Sequence, residues 1–342
     1  MAKFCIFCGN KPEKKNKEHI LPKWLSRYTG RYKMFCSLEG ITDKQIPFSE
    51  LQFPACTKCN SDYSNLEASA QQSMLKIMES KPLTAPEINT FLDWFDKIRV
   101  GLWLAELTLA NKVDIVQPNF HISQRMGQKD RMLIVERIAV DGKGLSFAGT
   151  GTQMFYDIPS AFQLIVNDYV FTNASEYGLV SNKLGFPTMD KLQVSRDAQC
   201  ITKLYPGRHK TTHPVVPGID ATPNRTIIYQ PIYKTFRDYG PDSPYAAQYV
   251  QDYSLDASSG IGGIFYQKGD NQIKYLSPDK RLTINPRALP VPNLYTTAAK
   301  VYDLQNYMLD NLYDVKNSDA ATLQYVKMLM AKNELLSSMC TR

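Results

Sequence analysis

The cysteines place the tightest constraint on this chain. Cys5–Cys8 and Cys56–Cys59 form two Cys-x-x-Cys pairs within the first sixty residues. Each short turn presents two sulfurs to one point, so two such turns suit a single tetrahedral zinc held by four thiolates. A fold that satisfies this must bring residues 5–8 against residues 56–59. The same clamp gathers the polar groups near it. Glu18-His19-Ile20-Leu21-Pro22 lies between the pairs, and Asn60 follows the last cysteine directly. A four-thiolate zinc is closed and structural, with no open position for substrate. It substitutes for a large core in a small module.

A cleavable leader would remove part of the first pair, and no apolar run reaches the roughly 18 residues that suggest a spanning helix. The expected location is therefore the cytoplasm, where paired cysteines bind metal instead of forming disulfides. Cys36, Cys200 and Cys340 read as ordinary thiols. With 342 residues, 43% of them hydrophobic, the chain has enough length for two domains. The expected division is a zinc module over 1–80 and a larger α+β domain over 87–342, with Lys81-Pro82 and Ala85-Pro86 marking the boundary.

Apolar spacing predicts short and long helices in turn. Lys23–Tyr28 opens after Pro22, a helix beginning near Asn60 runs to Met78, and a strongly apolar one covers Glu87–Ala110. Met132–Val135, Phe162–Val166 and Thr226–Tyr229 read as strands, with Asp141–Gly144 as a turn. Ala298–Val315 and Ala320–Leu336 return to helical spacing. The second part is thus expected to flank an antiparallel sheet with helices. His209 and His213 sit between Pro206-Gly207 and Pro214 and read as loop. Ser258–Gly263 lacks the Lys-Ser/Thr pair of a phosphate-cradling turn and reads as a flexible turn. His121 is isolated.

The net charge of +7 permits a polyanionic partner without requiring one. Its distribution is more telling. Residues 11–33 hold Lys11, Lys14, Lys15, Lys17, Lys23, Arg27, Arg31 and Lys33 against Glu13 and Glu18. A basic cluster beside a metal site suits a phosphodiester substrate, with Lys14, Lys15 and Lys23 as candidate contacts. Glu18 and the Asn60 carbonyl are hard oxygen donors of the kind Mg²⁺ or Mn²⁺ prefers. On an extended segment Glu18 and His19 diverge, and a neutral imidazole is a suitable base near pH 7.

Cys5-x-x-Cys8, Glu18-His19-Ile20-Leu21-Pro22 and Cys56-x-x-Cys59-Asn60 together resemble the zinc-containing HNH, or ββα-metal, endonucleases. The resemblance covers residues 1 to about 70. It implies that Cys5, Cys8, Cys56 and Cys59 hold a structural zinc, that Glu18 and Asn60 hold a catalytic Mg²⁺ or Mn²⁺, and that His19 activates the attacking water. It also implies a nucleic-acid substrate, DNA by preference, and a place in bacterial or phage conflict. The stretch Asn65-Leu66-Glu67 resembles a subgroup with a Leu-Glu pair on the helix, without assigning Glu67 a role. One departure is Leu51, which stands where many members carry an Asn that orients the base-bearing loop. Asn10, Asn16 or a backbone group is left for that task. A homodimer would follow if both strands of a duplex are cut, and the C-terminal domain would select substrate, sense a ligand or mediate assembly. The competing readings are a non-catalytic zinc-dependent nucleic-acid-binding protein and an interaction protein with a purely structural zinc.

Overall fold

Pairing of distant short strands organises the N-terminal part. The computed structural model describes residues 4–12, 16–38, 44–110, 112, 121–140, 143–186, 188–189, 192–194, 199–201, 204–205, 215–234, 259–290 and 295–341. Strand β1 (Lys17–His19) pairs antiparallel with β4 (Gln52–Pro54), placing Glu18 opposite Phe53 and His19 opposite Gln52. Between them lie α1 (Lys23–Tyr28) and a hairpin of β2 (Phe35–Leu38) and β3 (Lys44–Pro47). Helix α1 has the bounds its sequence predicts and buries Leu25. Helix α2 (Thr57–Met78) begins ahead of the start expected near Asn60 because Cys56 is its N-cap. Cys59 and Asn60 therefore ride on its first turn.

The residues read as a boundary are themselves structured. Strand β5 (Pro82–Thr84) leads straight into α3 (Ala85–Leu109). The Thr84 side chain accepts from the Glu87 N–H, and Glu87 accepts from the Thr84 N–H at 2.8 Å, a reciprocal cap with proline in the first turn. Glu87 also pairs with Lys76 of α2, fixing the angle between the two helices. Thr84→Ala is expected to lower stability by about 1 kcal/mol, read as a shift of the urea midpoint at unchanged slope.

Helix α3 is buried along most of its 25 residues. Trp94 stacks on Trp24 of α1 at 6.0 Å, while Phe91 and Phe95 meet Phe171 of the sheet at 5.9 and 5.7 Å. Gly101 is a tight point on the first side. A Cβ there would lie 3.0 Å from the Ile20 side chain. The glycine, costly in a helix interior by about 1 kcal/mol, lets the Glu18-His19-Ile20 segment seat against α3.

After α4 (Ile122–Arg125), strands β6 (Asp130–Ile138), β7 (Leu145–Ala148), β8 (Ala161–Val166) and β9 (Tyr169–Glu176) are interrupted by α5 (Gln153–Asp157) and followed by α6 (Ser181–Leu184). Two small ribbons pair β10 (Thr188–Met189) with β13 (Leu204–Tyr205) and β11 (Leu192–Val194) with β12 (Gln199–Ile201). The sheet is completed by β14 (Arg225–Gln230), β15 (Phe265–Lys268) and β16 (Lys274–Tyr275), in the order β16-β15-β14-β6-β9-β8-β7 with antiparallel neighbours. Strand β17 (Arg281–Thr283) pairs with β5, and β18 (Ala288–Leu289) adds parallel to the end of β6. Helices α7 (Tyr295–Asn311) and α8 (Ala320–Thr341) close the chain.

Alternation along β6 explains the layering. Leu133 and Val135 join the core around α3; Met132 and Ile134 join a second core with Val301, Leu304 and Met308 of α7. Helices thus flank an antiparallel sheet, as the sequence predicts. The core around α3 also takes in Cys5, Phe7, Ile20, Leu25 and Leu51, so it runs across residues 81–86 from the N-terminal elements to the sheet. Helix α7 stops short of the expected Val315 because the chain turns inward to bury Tyr313, whose hydroxyl donates to Glu176 at 2.8 Å. Helix α8 runs on to Thr341.

Part of the Asp141–Gly144 turn lies outside the described residues, and the strands flanking it, β6 and β7, are not sheet neighbours. His209 and His213 lie outside them entirely. Ser258 does too, while Ile261 of the following stretch bridges to Ile232, and the Gly262 N–H donates to Pro231 at 2.8 Å, so this stretch is packed. No described helix is long and apolar enough to cross a membrane.

Candidate metal centre and the buried ion cluster beside it

The first cysteine pair sits on a tight turn. The Cys5 N–H donates to Asn10 at 2.7 Å, the Gly9 N–H donates back to Cys5 at 2.8 Å, and the Ile6 N–H donates to Pro54 of β4 at 2.9 Å. That last bond hangs the turn on the strand that leads into α2. The second pair occupies the N-cap and first turn of α2. All four Sγ atoms lie within 4.8 Å of one another, with Cys8 and Cys56 at 3.9 Å. Zinc–sulfur bonds of ~2.3 Å at tetrahedral angles put sulfurs about 3.8 Å apart, so this donor set is suited to zinc. Among the described residues, no other group of three or more His, Cys, Asp or Glu side chains is arranged for a metal.

Electrostatics divide the thiols. Burial raises Cys5, while burial, a hydrogen bond to Cys56 and the nearby Cys5 charge push Cys59 up. Against the cost of burial, the Cys59 backbone and the neighbouring thiols hold Cys56 below its ordinary value. A helix N-terminus favours the thiolate at that position. The turn is also braced from outside. Phe7 stacks on Tyr63 of α2 at 3.9 Å, and the N–H groups of Ile122 and Ser123 donate to Ile6 and Phe7 at 3.2 and 3.0 Å.

Glu18 and His19 diverge, as extended backbone requires, and each meets a partner the sequence did not announce. The Glu18 carboxylate accepts from Lys97 of α3 at 2.9 Å. The same ammonium bonds Glu67 of α2 and the His19 carbonyl at 3.0 Å. Lys97 is fully buried. Burial alone would lower its pKa, yet Glu67 and Glu18 raise it, so it stays charged. Two carboxylates then share one ammonium, leaving one negative charge in excess. Burial pushes Glu67 up to about 7, with Glu18 adding to the rise and Lys97 opposing it.

His19 is buried against Ser49 and Gln52. The Gln52 amide donates to the Ser49 carbonyl at 2.6 Å and lies 2.8 Å from His19 Nε2. Nε2 also lies 3.3 Å from the Ser49 carbonyl, so one ring nitrogen faces both an amide donor and a carbonyl acceptor. Burial, with the charge of Lys23 adding, lowers the His19 pKa, so the ring is neutral near pH 7. Gln52 and the Ser49 carbonyl are the groups that hold the His19 ring. Leu51 packs in the core, and its carbonyl accepts from the Ile20 N–H at 3.2 Å. Asn16 spends its side chain on the Lys17 N–H, and Asn10 accepts from Cys5 through its backbone.

Asn60 is half-buried, and among the described residues no hydrogen bond joins its side chain to Glu18 or His19. The second cation implied by the HNH resemblance does not fit this arrangement. Its carboxylate ligand is already matched by a buried ammonium, and Asn60 is not joined to it. Lys23 is exposed, while Lys14 and Lys15 lie outside the described residues. Lys97 and Gln52 escaped the sequence reading. A signal for Lys97 was present: the apolar stripe of α3 is wide, so a charge in its middle is buried and needs a partner. Asp96 and Arg99, paired at 2.7 Å, and Asp93, paired with Arg131 of β6 at 2.5 Å, follow the same logic.

No protein-family model matches the chain, and comparison with curated proteins and with solved structures found no match.

Proposed function

We propose that residues 5–67 form a nuclease site that hydrolyses phosphodiester bonds in nucleic acid, with His19 as general base. The observation that supports this best is the local order of parts. His19 ends a strand paired antiparallel with the strand that enters the cysteine-bearing helix, and its ring is neutral near pH 7 and held by Gln52 and the Ser49 carbonyl. In the reaction, water attacks phosphorus while the neutral His19 imidazole takes its proton. The P–O3′ bond breaks, and the leaving oxygen is protonated from solvent. Gln52 and the Ser49 carbonyl orient the ring. The zinc-cysteine turn and the Ile20–Gly101 contact keep β1 in place. The Mg²⁺ or Mn²⁺ that the HNH resemblance implies at Glu18 and Asn60 takes no part in this scheme, because Lys97 already holds the Glu18 carboxylate.

That ion pair favours a second reading, a zinc-dependent nucleic-acid-binding protein that docks on phosphates without cutting. Incubation of supercoiled plasmid with the protein and Mg²⁺ or Mn²⁺ decides between them. In a nuclease, His19→Ala is expected to reduce nicking by about 10²–10⁴-fold with zinc content and DNA affinity unchanged. DNA that is bound but left intact by the wild-type protein across plasmid, RNA and single-stranded substrates would establish the binding reading instead.

A further inference from the structure

The segment between the paired strands β1 and β4 is more than a connection. From Ile20 to Leu38 it carries Lys23, Arg27, Arg31 and Lys33 and no acidic residue. None of the four cations is ion-paired with another described residue. Lys23 stands near enough to His19 for its charge to act on the ring. Uncompensated charge thus begins at the proposed base and follows α1 outward.

Large apolar side chains are exposed on the same segment. Phe35 is 63% exposed and Met34 48%. Their neighbour Cys36 is buried, with its thiol donating to the Ile46 carbonyl at 3.2 Å, so the β2–β3 hairpin packs one face inward and presents Phe35 on the other. Arg27 lies over the Tyr32 ring at 5.2 Å, a pairing of cation and aromatic on the same segment. Solvent-exposed phenylalanine has no folding role that its burial could explain. Cations that track a phosphate backbone beside an aromatic face that accepts any base are the two components of single-strand recognition.

We propose that this segment is a binding face for single-stranded nucleic acid, with Phe35 stacking on an unpaired base and Arg27 and Lys33 meeting the flanking phosphates. Only its placement beside the reacting bond rests on the nuclease reading. Charge complementarity selects a polyanion over an apolar protein surface, and the exposed ring selects unpaired bases over a closed duplex.

The test is fluorescence anisotropy of the full-length, zinc-loaded protein in buffer free of Mg²⁺, Mn²⁺ and chelator, with labelled single-stranded DNA, single-stranded RNA and duplex DNA of one mixed sequence. Phe35→Ala, with its thermal melt as the check on folding, is expected to weaken single-strand binding about ten- to hundred-fold without changing the salt slope. Arg27→Ala and Lys33→Ala are each expected to reduce that slope by about 0.7. The DNA and RNA arms identify which strand is preferred. Single-strand affinity unchanged in Phe35→Ala would overturn the proposal, as would absence of single-strand binding. An equal loss on duplex would also overturn it and point to a wedge between paired bases. Binding that depends on Phe35 while wild-type protein fails to cleave would sink the nuclease reading and leave this face standing.

Discussion

Stripping the metal from this protein is expected to unfold the whole of the described core. The purified chain should carry one zinc, measured by plasma mass spectrometry, and Cys56→Ala should carry none. Apparent binding energies of structural zinc reach ~10–16 kcal/mol in small domains, as large as the ~5–15 kcal/mol net stability of a typical protein. The effect spreads because Cys5 and Phe7 belong to the same cluster as Phe91 of α3 and Phe171 of the sheet. Thermal melting followed by circular dichroism should show one transition moving down as metal is removed, without an early local step. A chain free of zinc with an unchanged melting temperature would refute this account of the tetrad.

Lys97→Met is the second change expected to be severe, at about 3–5 kcal/mol, because it strands Glu18 and Glu67 in the interior without a counter-charge. Replacing both carboxylates by Gln in the same chain should recover much of the loss, since the repulsion disappears with the charges. The pH dependence has a definite sign. Glu67 is pushed up from 4.5 to about 7 in the folded protein. Between those values the folded chain holds a proton that the unfolded chain has released. Stability therefore falls as pH rises from about 4.5 to about 7, by about 1.36 kcal/mol per unit at most. Glu67→Gln should flatten that slope in urea titrations. A slope identical in the variant would show that Glu67 is not the group responsible.

These two clusters differ in how far the sequence discloses them. The tetrad is legible because its ligands come in pairs at short spacing, so local geometry does half the assembly. The helices α1 and α3 and the strands β6, β8 and β14 are legible because apolar periodicity reports burial directly. Lys97 is not, because a pattern can say that a charge is buried and not which carboxylate meets it across 79 residues. Gln52 became visible only through the β1–β4 register, which sets it opposite His19. The reading that placed Glu18 and Asn60 on one cation rested on their oxygen donors, their nearness to the cysteines and the HNH resemblance. It left out α3, which supplies a cation of its own.

The order of these parts along the chain sets a sequence of events during synthesis. Translation delivers all four thiols, both strands β1 and β4, and Glu18 before it delivers Lys97. Metal capture can therefore lock the pairing of His19 with Gln52 while Glu18 is still bathed in water. Only when α3 leaves the ribosome does an ammonium arrive to make that carboxylate's burial affordable. A zinc in the tetrad would then serve as a scaffold for the first strand pair, and the lysine as the latch that shuts the interior over it.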